Sequence, residues 1–208
     1  MILSKFILID AAFLIVGFSI VLFLQGKKTT PSLLGEFKDS ISPDQILTSF
    51  PSLSELLELE TLARTEGSGI EFDSLNGLWK FVSVWKQGTD QEDSMSSSLL
   101  RLFSASLELR KQKNNEQLSK FDITNCIRFV FLSISFIGSG QLTGSQPLLS
   151  FAFERIDLKL GNNVVLSRLI AVPDEKNRPF FALIAMGKTS QWLSARGRGG
   201  GLALWLKA

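Results

Sequence analysis

The sequence predicts a mainly β protein: an antiparallel barrel or strongly curled sheet, preceded by a short amphipathic helix and one N-terminal transmembrane helix. Three observations predict it. Beyond residue 72, apolar residues recur with a period of two in eight or nine short segments. Turn residues such as Asn114-Asn115, Gly138-Ser139-Gly140, Gly161-Asn162-Asn163 and Gly187-Lys188 divide these segments, with no helical period between them. Finally, Phe6–Leu24 is the one long apolar run, broken only by Asp10 and Ser19.

The apolar run comes first in the chain. At about 1.5 Å per residue it makes a helix of roughly 28 Å, close to the ~30 Å hydrocarbon core of a bilayer. A cleaved signal peptide and a buried globular helix compete with a retained anchor. The run is longer than a signal core, and Phe23-Leu24-Gln25-Gly26 lacks the small-x-small spacing of a cleavage site. Asp10 lies about one turn inside the run, within reach of the interface or of Lys5. Lys5 flanks one side and Lys27, Lys28 and Lys38 the other, which favours the cytosolic or stromal face for the large domain. The organisation is then an anchor over 1–28, a stalk over 29–51 rich in Ser, Thr, Pro, Asp and Lys, and one domain over 52–208.

Within that domain, Ser52-Leu53-Ser54-Glu55 fits a capping box and opens an amphipathic helix through Leu53, Leu56, Leu57 and Leu59 to about Arg64. Gly67-Ser68-Gly69 ends it. The period then changes to two. Trp79, Phe81 and Trp85 fall on one face of a first strand, and Ala105, Leu107 and Leu109 on one face of a second. Another strand is expected over Leu118–Thr124. Ile127–Ile137 is β-branched and aromatic on both faces, as in a strand covered on both sides or lining a cavity. In Leu148–Leu160 the apolar parity slips near Glu154-Arg155, the signature of a β-bulge. Strands over Val164–Val172, Phe180–Met186, Thr189–Arg196 and Leu202–Lys207 complete the set.

Composition narrows the chemistry. The net charge of +2 gives no electrostatic footprint for nucleic acid. No histidine is present, which removes Ser-His-Asp and Cys-His catalysis and histidine metal sites; tyrosine is also absent, against seventeen phenylalanines. The single cysteine, Cys126, excludes an internal disulfide and reads as a small buried hydrophobe. Glu154 and Asp157 share no face, and Glu71 and Asp73 lie in a loop, so no acid–base pair emerges. The expectation is a non-enzymatic protein without cofactor or metal.

Two features remain as site candidates. Phe129, Phe131, Phe151, Phe153, Phe180 and Phe181 lie on strands where a small barrel has its interior, either as plain core or as the lining of an apolar ligand site. Arg196-Gly197-Arg198-Gly199-Gly200-Gly201 is either an anion cradle of glycine amides and arginines or a flexible hairpin turn with solvated charges.

Leu75-Asn76-Gly77-Leu78-Trp79, followed by Phe81, resembles the opening strand of the plastid lipid-associated proteins, also called fibrillins, whose Leu-x-Gly-x-Trp start is similar to the Gly-x-Trp of lipocalins. Arg196-Gly197, with Gly200 and Leu202, resembles that family's closing Arg-Gly-x-x-Gly-x-Leu strand. Gly138–Leu142 and Ser150–Phe153 stand where the family has its mid-barrel segment. The resemblance spans residues 52 to 208. The chain departs from it at Arg198, where the family often has an acidic residue, and in its apolar N-terminal run. The resemblance implies a lipocalin-like barrel of plastids or cyanobacteria that associates with thylakoids or lipid globules and binds quinones, carotenoids or lipids.

The resulting expectation is a membrane-anchored barrel that binds an apolar small molecule or lipid beside a photosynthetic membrane. Trp79, Phe81, Phe129, Phe131, Phe151, Phe153 and Phe181 are the expected lining, with Arg196 closing one mouth over a ring or a ligand head group. The alternative is an accessory or assembly subunit of a membrane protein complex, docking through Asp10, Ala11, Ala12, Gly17 and Ser19 of the anchor. A third, an enzyme acting on an isoprenoid, lacks an evident general base.

Overall fold

A computed structural model describes residues 50–88, 92–112, 120–145, 147–187 and 191–208. The expected anchor, with Asp10 and its small residues, and all but the last two residues of the stalk lie outside the described residues. Among the described residues no helix is long and apolar enough to cross a membrane.

The chain runs from helix α1 (Leu53–Glu66) through a 3₁₀ turn (Phe72–Leu75) into strand β1 (Gly77–Trp85). Helix α2 (Ser94–Leu102) and strands β2 (Ser106–Lys111), β3 (Lys120–Phe129), β4 (Leu132–Thr143) and β5 (Leu148–Leu160) follow. Strands β6 (Asn163–Leu169), β7 (Phe180–Met186), β8 (Trp192–Gly197) and β9 (Leu202–Lys207) end it. All strand pairings are antiparallel. Eight strands close a barrel in the order β1-β2-β3-β4-β5-β7-β8-β9, with β9 returning to β1; among the described residues β6 pairs only with β5, and it lies outside the ring.

Local chemistry sets the elements. The Ser52 amide donates to Glu55 Oε2 at 2.7 Å, and the Glu55 amide donates back to Ser52 Oγ at 3.3 Å, so the capping box forms as expected. Helix α1 lies on the outer wall, where Leu56 joins Ile184 and Leu202 in a buried cluster supported by Leu53, Leu59, Trp85 and Trp192. The inner face carries the main core, including Trp79, Leu109, Phe121, Ile123, Leu149 and Leu183. Each of these comes from an alternate position of its strand, which is why the period of two is visible in sequence.

The parity slip in β5 is a bulge. Ile137 pairs with Arg155 but Gly138 pairs with Phe153, which leaves Glu154 as the extra residue. The bulge marks a change of partner. Leu148–Ser150 of β5 pairs with β7, whereas Arg155–Leu160 pairs with β6. Past Glu154, therefore, β3, β4, β5 and β6 continue as a four-stranded extension beyond the closed ring.

Two expectations are corrected. Ile127–Ile137 is not one strand: β3 ends at Phe129, the chain turns through Val130 and Phe131, and β4 starts at Leu132. Val130 takes φ 53° without a glycine, asparagine or proline to announce the turn. The β1–β2 connection also holds a helix where none was expected. Its serines conceal it: the Asp93 side chain caps the Ser96 amide at 3.2 Å, and buried Ser97 accepts from the Val84 amide at 3.0 Å.

The β4–β5 contact at the bulge is close enough to test. A Cβ on Gly138 would stand 1.9 Å from the Ala152 carbonyl oxygen and 2.8 Å from Phe153 Cα, both backbone atoms. Gly138→Ala is expected to cost about 3 kcal/mol or more, at the upper end for overpacking. Gly161→Ala, with φ 59° and open space around it, is expected to cost about 1 kcal/mol. Chemical denaturation of both variants checks the order; equal costs would mean that the strands separate freely at the bulge.

Candidate functional site

The closed part of the barrel is filled with side chains. Trp79 is fully buried, and its Nε1 donates to the Leu75 carbonyl at 2.8 Å, fixing the ring against the 3₁₀ turn that plugs this end. Phe72 of the same turn lies 4.2 Å from Phe121 between ring centroids. Further rings form a continuous column: Trp205 to Phe181 at 5.5 Å, Phe181 to Phe151 at 5.1 Å, Phe151 to Phe153 at 5.3 Å and Phe153 to Phe136 at 5.6 Å.

That column leads out of the ring and onto the extension. Register puts Phe136 beside Ile156, Ile134 beside Ile127 and Leu158, and Leu132 beside Phe129 and Leu160. Paired residues share a face, and Phe136 shares its face with the core through Phe153, so the inner surface of the barrel continues as a largely apolar wall, on which Asn125 stands beside Phe136 and Arg168 beside Ile156. Ile127, Leu132, Ile134, Phe136, Ile156 and Leu158 are only half-buried. Since β7 has already left β5, the ring does not close over this wall. The result is an open throat, an apolar surface walled on one side above a packed floor.

The expected lining residues divide accordingly. Trp79, Phe81, Phe151, Phe153 and Phe181 come together inside the barrel, where Trp79 and Phe151 are core and the other three pack against it. Phe129 stands at the rim of the throat, 42% exposed, with its ring edge-on to buried Phe103 at 5.3 Å. Phe131 lies in the turn at the end of the extension, away from the interior and 66% exposed. Phe180 points to the face opposite Phe181. Phe136, Ile134, Ile156 and Leu158 were not picked out from the sequence. Their signal was the matching parity of two neighbouring strands, which becomes readable only once the hairpin turn is placed at Val130.

Arg196 also sits elsewhere than expected. It faces the outer wall, where Nε donates to Glu60 Oε1 at 2.6 Å, a second guanidinium nitrogen bonds Glu60 Oε2, and Nη1 donates to the Gly200 carbonyl at 2.7 Å. Arg64 reaches the same Glu60 oxygen at 2.7 Å from one helical turn away. The glycine run is a hairpin turn in which the Gly197 and Gly201 backbones bond each other, and Arg198 donates to the Lys176 and Arg178 carbonyls at 3.2 and 2.9 Å. These arginines fasten carbonyls and a carboxylate, so the turn serves architecture. Among the described residues no group of three acidic or thiol side chains converges as metal ligands would.

Comparison with protein-family models, curated proteins and solved structures finds no match to this chain. Its class is therefore the one its geometry defines, an eight-stranded antiparallel barrel with an open apolar extension.

The Arg196 hydrogen bonds hold Glu60 below the usual carboxylate range against the opposing effect of burial, with Arg64 assisting. A carboxylate with a lowered folded-state pKa stabilises the fold above its ordinary value of about 4.3, and the contribution is lost as pH falls through the folded pKa. Glu60→Gln is thus expected to destabilise the protein by about 2 kcal/mol near neutral pH. The gap between variant and wild type should shrink as pH drops below the ordinary glutamate range, as followed by thermal unfolding across pH. A gap that stays constant into strong acid would show that the charge of Glu60 does not matter.

Proposed function

We propose that this protein is a membrane-anchored, non-enzymatic barrel that holds an apolar small molecule in the throat between Phe136, Ile134, Ile127, Ile156 and Leu158. The observation that carries the reading is the half-buried apolar wall continuous with the barrel core. A folded domain of this size rarely leaves such a surface to water without a use for it. Flat or elongated apolar molecules, such as a quinone, a carotenoid or a lipid chain, suit a wall of aromatic and β-branched side chains on a rigid sheet. The setting beside a photosynthetic membrane rests on the resemblance of the Leu75–Phe81 and Arg196–Leu202 motifs to the fibrillins, and the anchor on the Phe6–Leu24 run.

A second reading, an accessory subunit of a membrane protein complex, draws on β6. This strand is exposed at every position and borders the sheet with one edge open among the described residues. Such an edge accepts a strand from another chain.

One experiment divides the two. Protein purified gently from its native membrane is extracted with organic solvent and the extract analysed by mass spectrometry. The carrier reading expects a stoichiometric apolar compound, and an Ile134→Thr, Ile156→Thr variant with a similar melting temperature should bind it about thirtyfold more weakly and retain correspondingly less, since each truncated apolar contact is worth about 1 kcal/mol. An empty barrel that co-purifies with a defined set of membrane proteins would replace this reading with the subunit one.

A further inference from the structure

The outer face of the extension has the opposite chemistry to its inner face. Register puts Arg128 beside Ser133 and Ser133 beside Lys159, with Cys126 beside Ser135 one step closer to the barrel. These side chains line an open cavity of about 290 Å³ that Gly161 and Asn162 border from the β5–β6 turn. Among the described residues no carboxylate lines it. The nearest acidic group on this face, Asp157, is occupied by Ser167 at 2.6 Å and Arg155 at 3.2 Å. Ser133 and Ser135 form buried walls, so the cavity offers two cations and two hydroxyls to a ligand rich in acceptor oxygens.

The rim supplies the second observation. Val130 and Phe131 line one side of this cavity, form its projecting turn and are 70% and 66% exposed. The Gly161 amide donates to the Phe131 carbonyl, which ties the two turns into one blunt end. A bulky apolar turn next to paired cations matches a lipid–water interface, where apolar side chains enter the acyl region and cations meet headgroup oxygens. A free soluble anion would need the cations alone and gives no use for the exposed Val130 and Phe131.

We propose that the end of the extension docks on an anionic lipid bilayer, with Arg128 and Lys159 holding an acidic headgroup and Val130 and Phe131 entering the lipid. Docking brings the throat on the opposite face to the bilayer surface, and its purpose rests on the carrier reading. The docking itself is measured without reference to any bound ligand, so the two readings can fail separately.

Cys126 provides the probe, as the single thiol of the chain and part of the cavity wall. Full-length protein is placed in nanodiscs of phosphatidylcholine alone or of phosphatidylcholine with phosphatidylglycerol, and the rate of Cys126 labelling by a small water-soluble maleimide is followed. The anionic discs are expected to slow labelling about 25-fold, given roughly fivefold for each of the two cations near an anionic surface. Arg128→Gln with Lys159→Gln should abolish the difference while leaving the melting temperature unchanged. In a second variant, Cys126→Ser with Phe131→Cys, an environment-sensitive fluorophore on residue 131 should shift to the blue in the anionic discs. Equal labelling rates in both discs would overturn the proposal. So would equal protection by soluble glycerol phosphate in phosphatidylcholine discs, which would mark a free-anion site, or a residue-131 probe that reports water in both lipids.

Discussion

Strand β5 keeps one neighbour along its whole length and exchanges the other halfway, and this exchange governs the form of the barrel. Its thirteen residues span roughly 43 Å at about 3.3 Å each. The first three residues lie against β7 and complete the ring, while the last six lie against β6 outside it. Glu154 is the hinge of that exchange. The extra residue twists the strand and moves its edge away from β7, and Gly138 lets the β4 backbone approach where a side chain would collide. A barrel built on shorter strands would have closed over its own interior. Here the inner surface runs on past the point of closure.

The same geometry explains why aromatic residues of similar appearance end up in different environments. Trp79, Phe151 and Phe181 sit below the exchange and are enclosed by eight strands, so they pack against one another. Phe136 and Phe129 sit above it and are enclosed on one side only. The outer wall is settled by a separate device. Helix α1 is fixed to the β8–β9 hairpin by Glu60 and Arg196, which join positions 136 residues apart, while Leu56 fills the space between helix and sheet. An arginine beside a glycine run invites an anion-binding interpretation. In the folded protein its donors are already taken by Glu60 and by the carbonyl of Gly200.

Much of this was legible in the sequence because the deciding information is local. Leu148–Leu160, Phe180–Met186 and Leu202–Lys207 appear as strands with the expected bounds because glycine or proline stands at their boundaries, the first as an alternating run and the other two as short continuous apolar runs. The capping box and the bulge at Glu154 were likewise written in a few adjacent residues. The β3–β4 hairpin was not legible: Ile127–Ile137 is apolar on both faces, and its turn uses Val130 in a left-handed conformation that glycine or asparagine ordinarily takes. Missing that turn moved Phe131 from an exposed tip to an imagined interior. Helix α2 was hidden because its serines serve as caps and as partners of β1 rather than forming an apolar stripe. The Glu60–Arg196 pair left no trace in either local segment, since nothing near Glu60 marks a partner so far along the chain.

The seam between the first and last strands has a consequence for how the molecule comes into being. Trp79 pairs with Lys207 and Trp85 with Leu202, so the ring is shut by the first and the last of its own eight strands to be made. Until Leu202–Lys207 has been made, β1 and β8 each present an open edge and the aromatic column has no completed wall around it. Contacts of such long range form slowly, and an intermediate with bare rings and unpaired edges is prone to associate with its own kind. Synthesis of this domain thus carries a period of vulnerability that lasts until the six residues of β9 emerge.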